Sequence, residues 1–186
     1  MIGRMSSIAM PRCKALWLIG TALLMSGCAL VPQEQAVADR AQGCPETAIV
    51  SGAESITLFE SEGSQDLSDM LLRSTLVEFT GECVYENEAV TVDLALILAG
   101  ERGPAISQEQ SVSVDYFVAV LDPEKQILGK EIFTTDFIFS DRRTRVLSRE
   151  ELRQVIPLEN ARSGQFYSVL MGFQLTDEQR LYNQGS

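Results

Sequence analysis

The sequence predicts an all-β sandwich of about seven or eight antiparallel strands with one or two short helices. Apolar residues alternate with polar ones through 90–98 and again through 112–120, which is the period of a half-buried strand. Turn-forming residues separate such runs at short intervals, and segments with helical periodicity are few. The 186-residue chain is long enough to bury a substantial core.

Seven strands follow from this alternation. In chain order they are Ile56–Leu58, Thr75–Tyr85, Val90–Leu98, Val112–Val120, Ile127–Phe139, Thr144–Leu147 and Phe166–Leu175. Gly81 predicts a bulge in the second strand. Alternate residues of that strand are expected to share one face: Thr75, Val77, Phe79, Cys83 and Tyr85.

The connections carry recognisable turn residues. Asn87-Glu88 is expected to turn the chain after the second strand, and 100–104 is expected to be a loop. Asp122-Pro123-Glu124-Lys125 has proline at the second position of a turn and predicts a hairpin.

Two segments have the form of a capping box, in which Ser or Thr precedes Glu or Gln by three residues. Ser148–Glu151 predicts a short helix running to Gln154, before Pro157. Thr176–Gln179 predicts a terminal turn of helix through Tyr182.

A Greek-key topology of the immunoglobulin or fibronectin-III type is the expected version of this sandwich. Immunoglobulin domains carry a core tryptophan, whereas Trp17 is the only tryptophan here and lies near the amino terminus. The resemblance to that fold is therefore one of architecture.

The amino terminus has the organisation of a secretory signal. Residues 1–14 carry three basic residues and no acid, and an apolar run, 15–25, follows. The segment ends Leu24-Met25-Ser26-Gly27-Cys28, which resembles the lipobox of bacterial lipoproteins, with methionine where leucine is usual. The resemblance implies cleavage before Cys28, diacylglycerol on its thiol and acylation of the new amino terminus.

Two alternatives to a lipoprotein signal stay open. One is an uncleaved anchor, although 15–31 is at the short limit for a spanning helix. The other is an ordinary signal peptide with a free Cys28. In lipoproteins of the enteric type, Asp after the lipidated cysteine retains the protein on the inner membrane. Ala29 therefore favours the outer membrane, facing the periplasm.

Composition excludes several functions. The chain has no histidine, which removes Ser-His-Asp and Cys-His pairs, imidazole bases and histidine zinc sites. The net charge is −11, and −14 without residues 1–27, which argues against binding the nucleic-acid backbone. Glycines never form a phosphate-binding motif, so no cofactor is expected.

The cysteines predict one disulfide. Cys13 lies in the signal and Cys28 takes the lipid, which leaves Cys44 and Cys83 for an oxidising compartment. The spacing is not that of a redox-active CxxC pair. Residues 28–43 are polar and are interpreted as a tether, with the folded domain occupying 44–186.

The cationic cluster is the strongest candidate site. Arg142, Arg143 and Arg145, with Arg149 and Arg153 beyond them, stand out in an acidic chain and could contact an acidic partner or lipid phosphates. The alternative interpretation is an edge strand whose charges prevent unwanted pairing.

Other candidates have simpler explanations. Acids near Glu60, Glu62, Asp66 and Asp69 do not have EF-hand spacing, so they predict a solvated loop and not a calcium site. The carboxylates that could pair for glycoside hydrolysis fall on separate predicted strands and are expected to face solvent: Asp93, Asp115 and Asp136. The aromatic residues that could line a groove are expected mostly in the core: Tyr116, Phe117, Phe133, Phe137 and Phe139.

Three blocks in the carboxy-terminal half, YFVAVLDPEKQILGKEIF, VIPL and YSVLMGFQLTDEQRLYN, resemble a set of small uncharacterised proteobacterial lipoproteins. The resemblance covers about 44–183. It implies an envelope location and a β-sandwich, and it brings no substrate and no catalytic residues.

The expected function is a lipid-tethered, non-catalytic module that binds another envelope protein, because sandwiches expose strand edges and the inventory of reactive residues is nearly empty. The alternative is a carrier or chaperone that holds an apolar ligand or a client protein between its sheets. A cavity above about 300 Å³ between the sheets would favour the carrier, and a closed core with a bare edge strand would favour the module.

Overall fold

The computed structural model describes residues 43–61, 63–140, 143–160 and 163–185. These residues form eight strands, one α-helix and two short 3₁₀ turns. The elements are β1 (Glu46–Ile49), β2 (Ser55–Phe59), β3 (Met70–Glu86), β4 (Ala89–Arg102), β5 (Gln110–Leu121), β6 (Ile127–Phe139), β7 (Arg145–Pro157), β8 (Ser168–Phe173) and α1 (Asp177–Gly185). The 3₁₀ turns are Leu67–Asp69 and Gly164–Phe166.

The strands form two four-stranded sheets, and the all-β sandwich predicted from the sequence is confirmed. One sheet has the order β1-β8-β5-β6 and the other β2-β3-β4-β7. Two details differ from the expected topology. β1 pairs with β8 in parallel, and three consecutive strands lie side by side in the second sheet, unlike the ABED and CFG order of immunoglobulin domains.

The core lies between the sheets and is filled by alternate residues of the central strands. The largest fully buried side chains are Tyr116, Phe137, Phe139, Phe173, Leu72, Leu96, Leu98, Ile156 and Met171. Four of the five candidate aromatic residues belong to this core. Tyr116, Phe137 and Phe139 are buried, and Phe133 packs against them by stacking on Tyr116 with ring centroids 5.5 Å apart. Phe117 is the exception and lies on the outer face.

The bulge in β3 falls four residues before its predicted position. The register with β4 shifts between Leu76 and Glu78, so Val77 is the extra residue, and Gly81 continues the regular pairing. The bulge reverses which residues face inward. Phe79, Cys83 and Tyr85 contact the core as predicted, whereas Thr75 and Val77 do not share that face, because Leu72, Ser74 and Leu76 are buried before the bulge.

The predicted helix from Ser148 to Gln154 is wrong. Those residues lie in β7, a continuous strand that pairs with β4 from Ala89↔Pro157 to Glu101↔Arg145. The ladder along a long neighbouring strand outweighs the local preference of a capping box. The strand predicted at Thr144–Leu147 is the beginning of β7.

The second capping box is confirmed. Gln179 N–H donates to Thr176 Oγ1 at 3.2 Å, and Thr176 N–H donates to Gln179 Oε1 at 2.9 Å. Helix α1 continues to Gly185, beyond the predicted end at Tyr182. Asn183 Nδ2 attaches the helix to β2 by donating to the carbonyl of Ser55 at 2.8 Å.

The connections are partly as predicted. Asn87 has φ 53° in the tight turn between β3 and β4, and Lys125 has φ 64° in the turn that begins at Asp122. The loop predicted from Gly100 is wrong at its start, because β4 continues to Arg102. Gly100 lies against the Phe137 ring, where a Cβ atom would come within 2.5 Å of a ring carbon.

The predicted disulfide between Cys44 and Cys83 is confirmed, with the two Cα atoms 5.8 Å apart. Next to it, Tyr85 Oη donates to the carbonyl of Gly43 at 2.6 Å. Both contacts attach the first described residues, Gly43 and Cys44, to the end of β3.

Candidate functional site

The two sides of the sandwich expose very different strand edges. On one side the edge strands are β1 and β2, of four and five residues, and helix α1 packs beside β2. On the other side the edge strands are β6 and β7, of thirteen residues each. Among the described residues no strand pairs with the free edge of either. This long-edged side, β6 and β7 together, is the candidate interaction site.

Strand β7 brings most of the cationic cluster to this side. Arg145, Arg149 and Arg153 are exposed and recur at every second outward position. Arg143 lies just before the strand, in a turn where its N–H donates to the carbonyl of Ser140 at 3.0 Å. Arg142 lies outside the described residues. Arg145, Arg149 and Arg153 therefore lie on an edge strand, although Arg149 and Arg153 fell within the segment predicted as a helix.

Exposed apolar residues alternate with these arginines. Leu147 and Val155 are 63% and 61% exposed and point to the same outer face of β7 as the arginines. We name this row of outward side chains, residues 145, 147, 149, 151, 153 and 155, the arginine stripe. It combines cations with apolar surface, which is the composition of a protein-contact surface more than of a purely solvated one.

Two arginines of the stripe contact carboxylates within the domain. Arg153 donates to both oxygens of Asp93, at 2.6 and 3.1 Å, and Arg149 Nε lies 3.1 Å from Glu151 Oε1. The hydrogen bond from Arg153 lowers the pKa of Asp93, and its positive charge adds to the effect. These pairs are exposed, so they contribute little to stability and can exchange for a partner's carboxylate.

A groove runs along the outer face beside the stripe. It has a volume of about 560 Å³ and lies over β3, β4 and β7. Ala95 forms its floor, since the small side chain leaves space between Thr80 and Glu151, its neighbours across the sheet. The groove is lined by charged groups of both signs.

A polar cluster joins the two sheets beneath the stripe. Glu150 points inward from β7, and its Oε1 accepts hydrogen bonds from Thr135 Oγ1 of β6 at 2.7 Å and from Ser148 Oγ at 2.6 Å. The buried Tyr116 hydroxyl reaches the same carboxylate. Burial, followed by the charge and hydrogen bond of Glu150, raises the pKa of Tyr116. We name these four residues the seam.

The seam was not among the sites predicted from the sequence. Its four members come from β5, β6 and β7, and Glu150 was assigned to a helix. The signal available was an acid at an inward position of a strand alternation.

The other predicted candidates do not converge on a site. Asp115 accepts from Thr134 at 2.7 Å, Asp136 accepts from Ser113 at 2.5 Å, and both lie on the outer face of the first sheet, away from Asp93 on the second. They face outward from their strands, as predicted.

The acidic segment 60–69 is held by its own hydrogen bonds. Asp66 accepts from the Ser68 N–H at 2.9 Å, which lowers the pKa of Asp66, and Asp69 accepts from Ser64 Oγ at 3.0 Å. Glu62 lies outside the described residues. No group of three potential metal ligands occurs in the described part of the chain. A groove of about 740 Å³ lies between this segment and α1, on the side of β2.

The fold and the site together define an all-β sandwich with one long-edged side. No protein-family model, no curated protein and no solved structure matches the chain. In the ranges that the structure describes, none of the helices has the length and apolar character needed to cross a membrane.

Proposed function

We propose that this protein is a lipid-anchored envelope lipoprotein whose sandwich domain is a non-catalytic interaction module. The observation that carries the proposal is β7, a thirteen-residue edge strand with arginines at every second outward position. An exposed edge can accept an extended segment of another protein by main-chain hydrogen bonding, while side chains of the neighbouring row select the partner.

The chemistry of the stripe specifies the segment that would fit. A strand added to β7 would place alternate side chains opposite Arg145, Arg149 and Arg153 on the outer face. Carboxylates at those positions, with apolar residues opposite Leu147 and Val155 and a cationic or polar residue opposite Glu151, would complement the row. The expected partner is therefore an envelope protein that presents an extended acidic segment, and arginine favours carboxylates because its guanidinium can bind both oxygens.

The position of residue 43 places the first arginines of the cluster far from the proposed anchor, where a protein partner can reach them. Gly43 and Cys44 lie beside Cys83 and Tyr85, which pair with the start of β4, whereas Arg145 pairs with Glu101 near its end. Nine residues of extended strand separate the two positions, which is about 30 Å. An anchor attached through residue 43 leaves Arg143 and Arg145 at the membrane-distal end, whereas Arg153, which pairs with Asp93, lies near the anchored end.

The anchor is part of the proposal. Cys28 and the signal preceding it lie outside the described residues. The disulfide between Cys44 and Cys83 supports export, because such bonds persist in oxidising compartments. Lipidation predicts that a Cys28→Ala variant is no longer labelled by radioactive palmitate. We propose the outer membrane, periplasmic face, as the location.

The carrier alternative has no observation in its favour. Large side chains fill the space between the sheets, including Tyr116, Phe137 and Phe139. The two grooves described above exceed 300 Å³, but both lie on outer surfaces. We therefore propose the module alone.

The test is crosslinking in intact cells followed by capture of the full-length lipoprotein. We expect one near-stoichiometric envelope protein, lost when Arg145, Arg149 and Arg153 are all changed to Glu. A matched control changes three exposed charges on the opposite side, Glu60, Asp177 and Glu178, to Lys. Recovery of lipid or a small molecule in place of a protein would reject the module.

A further inference from the structure

The other long edge strand, β6, differs from β7 in its outward side chains. Its exposed residues include Leu128, Ile132 and Ile138, which are 57%, 56% and 60% exposed. The outward row of β7 carries three arginines, whereas the outward row of β6 combines these apolar side chains with one cation, Lys130, and one acid, Asp136. An edge of this kind is suited to pairing with another strand.

The sequence of β6 is complementary to itself. When two copies of the strand run antiparallel around a two-fold axis at Phe133, the midpoint of Ile127–Phe139, each residue faces a defined partner in the other copy. Lys130 then lies opposite Asp136 and Leu128 lies opposite Ile138. Opposite charges and apolar side chains placed directly opposite each other stabilise a strand pair.

This register is favoured over its neighbours. Sliding one strand by a single residue would place inward residues opposite outward ones, because side chains alternate with period two. Moving the axis by one residue slides the strand by two residues and keeps the faces matched. With the axis at Ile132, Leu128 would face Asp136, and with the axis at Thr134, Lys130 would face Ile138. Among these, the axis at Phe133 alone places Lys130 opposite Asp136 and Leu128 opposite Ile138, with Ile132 opposite Thr134 as the remaining outward pair, and it pairs the whole strand from end to end.

The two charged residues are available for such a contact. Lys130 Nζ contacts neutral groups, donating to Gln174 Oε1 at 2.7 Å and lying 4.3 Å from the centroid of the Phe117 ring. Asp136 accepts from the neutral Ser113 hydroxyl. Within the described residues, neither side chain forms an ion pair with an opposite charge, and both lie on the exposed outer face. Each of these pairs forms twice in the dimer, because the two-fold axis generates a second, equivalent contact.

We propose that two copies of this chain associate through antiparallel pairing of their β6 strands, with Lys130 of each copy opposite Asp136 of the other. The first sheets of the two copies then form one continuous eight-stranded sheet. The contact is closed by its symmetry, so association stops at the dimer. The arginine stripe belongs to the second sheet, so its residues take no part in this pairing, although a partner bound at β7 would lie on the same side of the sandwich as the dimer contact.

A charge swap tests the pairing. Sedimentation equilibrium of the full-length protein in density-matched detergent gives the dimer dissociation constant. Lys130→Glu and Asp136→Lys each turn two attractive pairs into repulsive ones and are expected to raise that constant by about tenfold. The double variant Lys130→Glu/Asp136→Lys restores the pairs and is expected to return the constant to within about threefold of the original.

A second pair of variants distinguishes the two edges. Ile132→Lys places like charges near the two-fold axis and is expected to leave the protein monomeric. Val155→Lys, an equally exposed position on β7, is expected to leave the dimer unchanged. A monomeric wild-type protein at the highest concentration tested, an open series of oligomers, a double variant no tighter than the single ones, or dissociation by Val155→Lys would each overturn the proposal.

Discussion

Changing Glu150 to Ala removes the acceptor that joins the two sheets at the seam. Three hydroxyl groups reach its carboxylate, from Tyr116, Thr135 and Ser148. After the change Thr135 and Ser148 can still bond each other, because their oxygens lie 3.0 Å apart. The Tyr116 hydroxyl would lose this acceptor. Tyr116 is only 1% exposed, so water does not readily replace it.

The expected cost follows from these contacts. A buried polar group left without a partner costs about 1–3 kcal/mol, and the weakened bond of Thr135 adds about 1 kcal/mol. We therefore expect Glu150→Ala to lower the free energy of unfolding by about 2–4 kcal/mol, a large part of the stability of a typical domain. Glu151→Ala is the matched control, since Glu151 is the next residue and points to solvent, and it should change stability by less than about 0.5 kcal/mol.

Urea unfolding of both variants is followed by far-ultraviolet circular dichroism. The shift in the urea midpoint, at constant slope, gives the change in the free energy of unfolding. Tyr116→Phe provides a second check. In the Glu150→Ala background it removes the unpartnered hydroxyl, so the double variant should be less destabilised than the sum of the single effects by about 1–2 kcal/mol. If Glu150→Ala behaves like Glu151→Ala, or if the two effects simply add, the seam does not join the sheets as described.

Three further predictions concern the disulfide, the core and pH. Reduction of the disulfide, which links residues 39 apart, should lower the free energy of unfolding by on the order of 4 kcal/mol; an unchanged urea midpoint with dithiothreitol would contradict this. Gly100→Ala should cost about 1–3 kcal/mol because the new Cβ would overlap the Phe137 ring, while Gly129→Ala, where nothing lies within 4 Å, should be near neutral. Because the pKa of Tyr116 is raised in the folded state, the folded protein keeps the hydroxyl proton above pH ~10, whereas the unfolded chain loses it. The free energy of unfolding therefore falls as the pH rises above ~10, by about 1.4 kcal/mol per pH unit. Tyr116→Phe should make that slope shallower, and an identical slope would show that this hydroxyl does not govern the alkaline limb.

The sequence predicted best the strands whose alternation is strong and uninterrupted. The limits of Ile127–Phe139 agree with β6, and the central parts of β4 and β5 were found. β1 was missed because four residues hold too little pattern, and its parallel pairing with β8 depends on contacts far along the chain. β7 was misassigned in part because Ser148–Glu151 satisfies a local helix signal, whereas the ladder with β4 that decides its conformation is a long-range contact.

The candidate site was predictable to a similar extent. Unusual arginines in an acidic chain indicated the cationic cluster, and three of them lie on an edge strand, but the sequence assigned Arg149 and Arg153 to a helix. The seam and the self-complementary edge of β6 depend on which strands end each sheet. That order is set by packing between residues distant in sequence, so periodicity alone did not reveal it.

Site-specific photocrosslinking tests the central claim, that the side bearing β7 docks an envelope protein. Two variants are compared, one with a photoreactive amino acid at Leu147 in the arginine stripe and one with it at Leu181 on helix α1. The two positions are nearly equally exposed and lie on different sides of the domain. The account predicts that Leu147 gives a crosslink to one envelope protein in intact cells, that the crosslink disappears when Arg145, Arg149 and Arg153 are changed to Glu, and that Leu181 gives none. A crosslink from Leu181 and none from Leu147 would contradict it.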